Sequence, residues 1–134
     1  MTQDAKVDQI VYSMEVIRQQ LEEIEGQIQS LAVILQDLAT STDFLKNMSK
    51  IEGDSLIPIG RGLYIEGEVK NKERVMVNIG SSAYKKATVE DALSILEEKK
   101  NDAAKALESS RNSEGELQQR YAQLEDYLNR IYKK

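Results

Sequence analysis

The chain has 134 residues, of which 40% are hydrophobic and 31% are charged, with one Phe and no Trp. This is too little apolar bulk for a thick globular core, and it is typical of long helical or coiled-coil proteins, in which each residue adds to one narrow buried stripe. Cys and His are both absent, which excludes a disulfide framework and disfavours metal and acid–base enzymes. The net charge of −5 leaves no basic face, which argues against nucleic acid and anionic membranes as partners.

The first ten residues, MTQDAKVDQI, show no basic stretch followed by an apolar run, and no apolar run in the chain approaches the length of a membrane span. We therefore expect a soluble, cytoplasmic protein that is not an enzyme. No catalytic, cofactor-binding or metal-binding residue is predicted, and no cofactor is expected.

Residues 1–50 carry the strongest periodic signal in the sequence. Apolar side chains recur in alternating steps of three and four, at Val7, Ile10, Met14, Ile17, Leu21, Ile24, Ile28, Leu31, Leu35 and Leu38. This heptad pattern predicts a coiled-coil helix from near residue 4 to near residue 48. Its seam is narrower than the apolar stripe of a globular core helix, so we expect its partner to be another long helix.

Residues 51–87 change to a period of two, which is the period of a β-strand. Apolar residues alternate with polar ones, and turns are expected at Gly60-Arg61-Gly62 and Gly80-Ser81-Ser82. The pattern predicts four short strands near 56–59, 63–69, 74–79 and 83–87, most simply arranged as two β-hairpins.

Residues 88–134 return to a heptad pattern and supply the partner helix. Thr88 followed by Asp91 makes a capping-box-like start. The two helices can then pair as an antiparallel αα-hairpin, with residues 51–87 at its closed end. The predicted seam has three polar members, Lys100, Ser110 and Glu114, among the apolar positions Val89, Leu93, Leu96, Ala103, Leu107, Leu117, Tyr121, Leu124, Leu128 and Ile131.

The seam is expected to be loosest where Ile24 lies opposite Glu114. A polar seam residue forgoes the burial that an apolar one would contribute, and Gly26 and Gly115 fall in the same zone. A glycine inside a helix costs about 1 kcal/mol relative to Ala. Bending or fraying of the outer half is therefore predicted.

Two isolated hairpins are marginally stable, and the apolar stripes of the helices are already used in pairing with each other. We therefore expect the strands to have nothing to pack on in their own chain and to assemble with strands of other chains. The predicted oligomerisation residues are the apolar members of the strands, Leu56, Ile57, Ile59, Leu63, Ile65, Val69, Val75, Val77 and Ile79.

The order of these parts resembles the alpha-class subunit of prefoldin, and the likeness covers essentially the whole chain. The most specific part is the middle, where LIPIGRGLYIEGEV and RVMVNIGSSAYKKA are followed by TVEDALSILEEKKN at the start of the second helix. The beta-class subunit, by comparison, has a single hairpin. The turn at Gly80-Ser81-Ser82 departs from the family's Gly-x-Gly pattern.

The resemblance implies an α+β fold: a long antiparallel coiled-coil αα-hairpin whose closed end carries two small β-hairpins that form an inter-subunit β-barrel platform. It implies a hetero-hexamer of two alpha and four beta subunits, whose arms hold unfolded polypeptide without ATP and pass it to a group II chaperonin. Family members hold clients largely at the outer ends of the arms. Carried over to this chain, the client-binding tips are Val7, Ile10, Val11, Met14, Leu128, Ile131 and Tyr132.

Other interpretations stay open at this stage. Most of the tip residues lie on the seam and can simply close the coiled coil, whereas Val11 and Tyr132 lie off it and are the better evidence for an adhesive tip. A coiled-coil scaffold or tether that assembles through its hairpins is the alternative function. Gly60-Arg61-Gly62 lacks the Lys-Ser/Thr of a phosphate-binding loop and is interpreted as a turn, and Glu66 and Glu68 as a solvated strand face.

Overall fold

The structure is a computed structural model that describes residues 3–132. It contains two long helices and four strands, with a single 3₁₀ turn at Met48–Lys50 after the first helix. In chain order the elements are α1 (Gln3–Asn47), β1 (Asp54–Gly60), β2 (Leu63–Glu68), β3 (Arg74–Gly80), β4 (Ala83–Thr88) and α2 (Val89–Tyr132). The predicted helices and the two predicted hairpins are confirmed, with small shifts at their ends.

The described chain forms two compact units, and both helices contribute to each. The terminal unit contains residues 3–31 and 106–132, and the central unit contains residues 32–105.

The seam of the terminal unit follows the predicted heptads. Ile17 is buried, with 4% of its surface exposed, and the other seam positions of this unit are half-buried. Residues between them are largely exposed, as expected for a two-helix pair with one narrow apolar stripe. The half-buried members are Val7, Ile10, Met14, Leu21, Ile24, Ile28 and Leu31 on α1, and Leu107, Ser110, Glu114, Leu117, Tyr121, Leu124, Leu128 and Ile131 on α2.

The first hairpin pairs β1 with β2, and Ile57 lies opposite Ile65. Its two-residue turn holds Arg61 at φ 55° and Gly62 at φ 76°. Successive positive φ values are what a tight hairpin turn needs, because its backbone twist then matches the twist of the strands. The predicted turn at this position is therefore confirmed.

The second hairpin pairs β3 with β4, with Val77 opposite Lys85. Within residues 3–132, Ser81 has a positive φ of 49° and Ser82 does not. The departure from Gly-x-Gly is accommodated because Ser82 keeps a backbone conformation open to any residue. The Asn78 side chain braces the turn, accepting from the Gly80 N–H at 2.9 Å and donating to the Ser81 carbonyl at 3.0 Å.

The core of the central unit lies between the second hairpin and the helices. Val77, Ala87 and Ala92 are buried, and Leu45, Val75 and Ile95 pack against them. The expectation that the strands have nothing in their own chain to pack on is therefore wrong for this hairpin. The small side chains of Ala87 and Ala92 allow strand and helix to approach closely, so the helices bury more than their seam.

Backbone and side-chain hydrogen bonds fix the start of α2. Thr88 Oγ1 accepts from the Asp91 N–H at 3.1 Å, which confirms the predicted cap. The Val89 N–H donates to the Glu73 carbonyl at 3.2 Å, and Lys99 Nζ donates to the Asn78 carbonyl at 2.8 Å. The second hairpin is thus joined to α2 by polar contacts as well as by its core.

Candidate functional site

The described chain exposes its large hydrophobic side chains mainly in two places. We call the first the strand surface; it comprises Leu56, Ile59, Leu63, Tyr64, Ile65, Met76, Ile79 and Tyr84 of the central unit. We call the second the terminal surface; it comprises Val11, Tyr12, Val16, Tyr127 and Tyr132 of the terminal unit. Groups of exposed large apolar side chains are candidate sites of contact with other molecules.

The first hairpin is the more open part of the strand surface. Pairing places Ile57 and Ile65 on one face and Pro58 and Tyr64 on the other, because directly opposite residues share a face. Exposed apolar side chains occur on both faces, since Ile65 is 50% exposed and Tyr64 is 52% exposed. Neither face of this hairpin is therefore completed within the described chain.

The backbone of the hairpins is also incomplete. Each sheet of residues 3–132 has two strands, so every strand keeps one edge without a neighbouring strand. Unpaired N–H and C=O groups on such an edge are a template for pairing with a strand of another chain. The strand surface thus offers both apolar contacts and backbone hydrogen bonds.

The nine residues predicted for oligomerisation differ in how accessible they are. Val77 is 8% exposed, so its side chain belongs to the chain's own core and is not available to a partner. The half-buried members are Ile57, Val69 and Val75, and the exposed ones are Leu56, Ile59, Leu63, Ile65 and Ile79. Sequence reasoning missed Tyr64, Met76 and Tyr84. They are large apolar residues within the predicted strands, and that was a usable signal.

The residues predicted for client binding also differ in how exposed they are. Val11 is 51% exposed and Tyr132 is 73% exposed, whereas the seam members Val7, Ile10, Met14, Leu128 and Ile131 are half-buried. Three exposed residues of the terminal surface were not predicted, namely Tyr12, Val16 and Tyr127. They lie off the heptad seam, and a search for apolar residues outside the seam would have found them.

A groove of about 650 Å³ lies on the central unit between α1 and the hairpins. Tyr64 and Tyr84 both line it, and Asp37 lies on its helical wall. The Asp37 carboxylate accepts a hydrogen bond of 3.1 Å from the Arg61 N–H. The two hairpins therefore bring one exposed tyrosine each to the same groove.

Charge on the terminal unit is arranged in small clusters. Arg18 bridges Glu15 at 2.5 Å and Glu22 at 2.6 Å, and its hydrogen bond holds the pKa of Glu15 below the ordinary value. Across the helix pair, a side-chain hydrogen bond with Glu25 raises the pKa of Glu114. A carboxyl pair at a seam position agrees with the predicted weak zone around Glu114.

Comparison with known proteins decides the family. Residues 6–134 match the family model for the prefoldin subunit. The chain belongs to the prefoldin family. A prefoldin subunit alpha of Pyrococcus horikoshii is 23% identical over 122 residues, covering 89% of this chain and 82% of the relative. One of Methanosarcina acetivorans is 28% identical, covering 90% and 84%, and one of Methanosphaera stadtmanae is 32% identical, covering 69% and 67%.

Solved prefoldin structures share the fold. A chain of filamentous PFD from Methanocaldococcus jannaschii superposes with a TM-score of 0.66 at 22% identity, covering 87% of this chain and 96% of that one. The prefoldin beta subunit from Thermococcus strain KS-1 superposes with a TM-score of 0.67 at 17% identity, covering 96% and 94%. The two hairpins and the names of the relatives confirm the resemblance to the alpha class of prefoldin.

Membership supports a prefoldin chaperone role, and prefoldin is a family of chaperones and not of enzymes. The prefoldin structures that share this fold include a beta subunit and a filamentous form. In residues 3–132, neither helix has the length of apolar sequence that a membrane crossing requires.

Proposed function

We propose that this prefoldin subunit holds non-native polypeptides without ATP, capturing them at its terminal unit and passing them to a group II chaperonin. The observation that carries the proposal is the separation of exposed apolar side chains into the strand surface and the terminal surface. A subunit with two such surfaces can assemble through the strand surface and bind clients through the terminal surface.

Assembly is the proposed role of the strand surface. Its open strand edges and exposed apolar side chains favour pairing with hairpins of beta-class subunits in a β-barrel platform. We propose two alpha and four beta subunits, as the resemblance implies. The division into a helix over 1–50, an oligomerisation platform over 51–87 and a helix over 88–134 is part of this proposal.

Client capture is the proposed role of the terminal surface together with the half-buried seam residues around it. Unfolded chains expose apolar side chains, and Tyr12, Val11 and Tyr132 offer apolar contact without any need to open the helix pair. The seam residues Ile10 and Met14 add to this surface when the ends of the helices fray. The chaperone is proposed to act in the cytoplasm.

The test is reconstitution with a beta-class partner. Native mass spectrometry is expected to show the hexamer, and the complex is expected to suppress aggregation of a chemically denatured protein without nucleotide. Removing the first dozen and the last half-dozen residues is expected to reduce this suppression while leaving the hexamer intact. Full activity after this trimming would contradict the role of the tips.

The same assay separates the proposal from a coiled-coil scaffold that binds one folded partner. A scaffold would assemble through its hairpins but would ignore chemically denatured model proteins. A hexamer that suppresses no aggregation would therefore favour the scaffold.

A further inference from the structure

The methionines that the structure describes differ in how well a dissolved reagent can reach them. Met48 is 2% exposed, and Met14 is half-buried in the seam of the terminal unit. Met76 of the strand surface is 62% exposed. The chain has no cysteine, so the thioethers of its methionines are its only sulfur groups. Within residues 3–132, Met76 is therefore the sulfur that an oxidant in solution reaches most readily.

Met76 lies on the face of the second hairpin that the chain's own core does not use. Successive side chains of a strand point to opposite faces, so Met76 and its neighbour Val77 lie on different faces of β3. Val77 is buried in the core of the central unit. Met76 also lines a groove of about 390 Å³ whose lining includes Ile57 and Pro58 of the first hairpin. A strand of a partner subunit on this surface covers Met76 together with apolar side chains of both hairpins.

Oxidation changes the chemical character of a methionine side chain. Hydrogen peroxide transfers one oxygen atom to the thioether: a sulfur lone pair forms the S–O bond, the O–O bond breaks, and water leaves. Sulfur is oxidised by two electrons and the peroxide is reduced by two. The product, methionine sulfoxide, is polar, whereas the thioether is apolar and accepts hydrogen bonds only weakly. Covering the sulfoxide oxygen without a hydrogen-bond donor is therefore unfavourable.

We propose that Met76 is a peroxide-sensitive modification site that regulates assembly through the strand surface. The thioether supports assembly with beta-class subunits, and the sulfoxide opposes it. The change is reversible, because methionine sulfoxide reductases restore the thioether. A partner strand that covers Met76 also protects it, so the free subunit is the sensitive form. This inference rests on the assembly role proposed for the strand surface and adds regulation to it.

The experiment treats the free subunit with hydrogen peroxide, removes the oxidant, and then titrates in beta-class subunits. Peptide mass spectrometry is expected to find the added oxygen atom on Met76 before it appears on Met14 or Met48. Native mass spectrometry is expected to show that the affinity for beta-class subunits falls about tenfold, because the covered sulfoxide is unpaired. In the complex assembled before treatment, Met76 is expected to oxidise more slowly than in the free subunit.

Three variants assign the effect to one side chain. Met76→Leu keeps an apolar side chain without sulfur and is expected to assemble equally well before and after peroxide. Met14→Leu is the matched control, because it removes a methionine of the terminal unit and is expected to leave the peroxide effect unchanged. Met76→Gln introduces a permanent polar group of similar length and is expected to weaken assembly without peroxide. Circular dichroism verifies that each variant is folded.

Normal assembly of a wild-type subunit that carries the sulfoxide at Met76 overturns the proposal. An equal loss of assembly in peroxide-treated Met76→Leu overturns it as well, because another group is then responsible. Both outcomes leave the assembly role of the strand surface in place. An untreated wild-type subunit that does not assemble with beta-class subunits contradicts that role and this inference together.

Discussion

The backbone N–H of Arg61 donates a hydrogen bond of 3.1 Å to Oδ1 of Asp37, joining the turn of the first hairpin to the last third of α1. No residue of this hairpin is fully buried, and this hydrogen bond is one of the specific contacts between its turn and the helix.

Asp37→Ala is expected to lower the free energy of unfolding by about 1 kcal/mol, the usual net value of one hydrogen bond. Asp37→Asn keeps an acceptor oxygen and is expected to retain most of the stability. Asp43→Ala is the control, because it removes an Asp from the same helix whose carboxylate accepts no such bond. Urea denaturation measures the stability of all three variants. Equal losses in Asp37→Ala and Asp43→Ala would show that the hydrogen bond to Arg61 does not contribute to stability.

Gly26→Ala and Gly115→Ala are each expected to stabilise the protein by about 1 kcal/mol. Both glycines lie inside helices, and a Cβ placed on either would meet no atom within 4 Å. Thermal unfolding of the variants checks the gain. Gly62→Ala is the opposite control: its φ of 76° suits glycine, so the added Cβ is expected to destabilise the turn. A loss of stability in the helix variants would show that these glycines have a packing role.

Acidification is expected to strengthen the contact between Glu25 and Glu114. Their hydrogen bond raises the pKa of Glu114 above its ordinary value of 4.5, so the folded state binds a proton more readily than the unfolded chain. The contribution of this group is therefore fully present below 4.5 and is lost as the pH rises through the higher folded pKa. Glu114→Gln is expected to keep the neutral form at every pH and to remove this dependence.

The measurement is the free energy of unfolding between acidic and neutral pH, with Glu108→Gln as the control on an exposed carboxylate of the same helix. Glu15 acts in the opposite sense: Arg18 lowers its pKa, so its contribution is present above the ordinary value and is lost on acidification. A pH profile of Glu114→Gln identical to that of the wild type would contradict the prediction.

Val77 and Ile65 are expected to respond differently to truncation. Val77→Ala removes two buried carbon atoms and is expected to lower the stability of the subunit by about 1.6 kcal/mol, at about 0.8 kcal/mol for each buried carbon. Ile65→Ser changes a side chain that is 50% exposed and is expected to leave the subunit folded but to weaken assembly with beta-class subunits. Native mass spectrometry and unfolding curves on both variants separate the effects. Normal assembly by Ile65→Ser together with Leu63→Ser would contradict the strand surface as the interface.

Both the helices and the hairpins could be predicted because their signals are local. The steps of three and four from Val7 to Leu38 specify which side of α1 is covered, and in the structure Ile17 is buried and the other seam positions are half-buried. Gly60 and Gly62 mark the first turn because their φ values are positive. Thr88 marks the start of α2 because a side-chain oxygen there can accept from Asp91.

Prediction failed where distant segments meet. Val77 and Ile79 are both apolar members of the same alternation in β3, yet Val77 is buried in a cluster with Ala92 and Ile79 is 56% exposed. Which strand positions lie over the helices depends on the placement of the second hairpin, which packs against Leu45 of α1 and Ile95 of α2. Periodicity alone carries no information on that placement.

The sequence by itself determined the element order, the seam, the turns and the resemblance to prefoldin, because each depends on residues that are close together along the chain. Only the tertiary structure decided that the second hairpin packs on its own helices and that Tyr12 and Arg120 line one groove. Those features join residues up to about a hundred positions apart, and their contacts follow from how the helices pair. The accessible surfaces on which the proposed function rests are of this second kind.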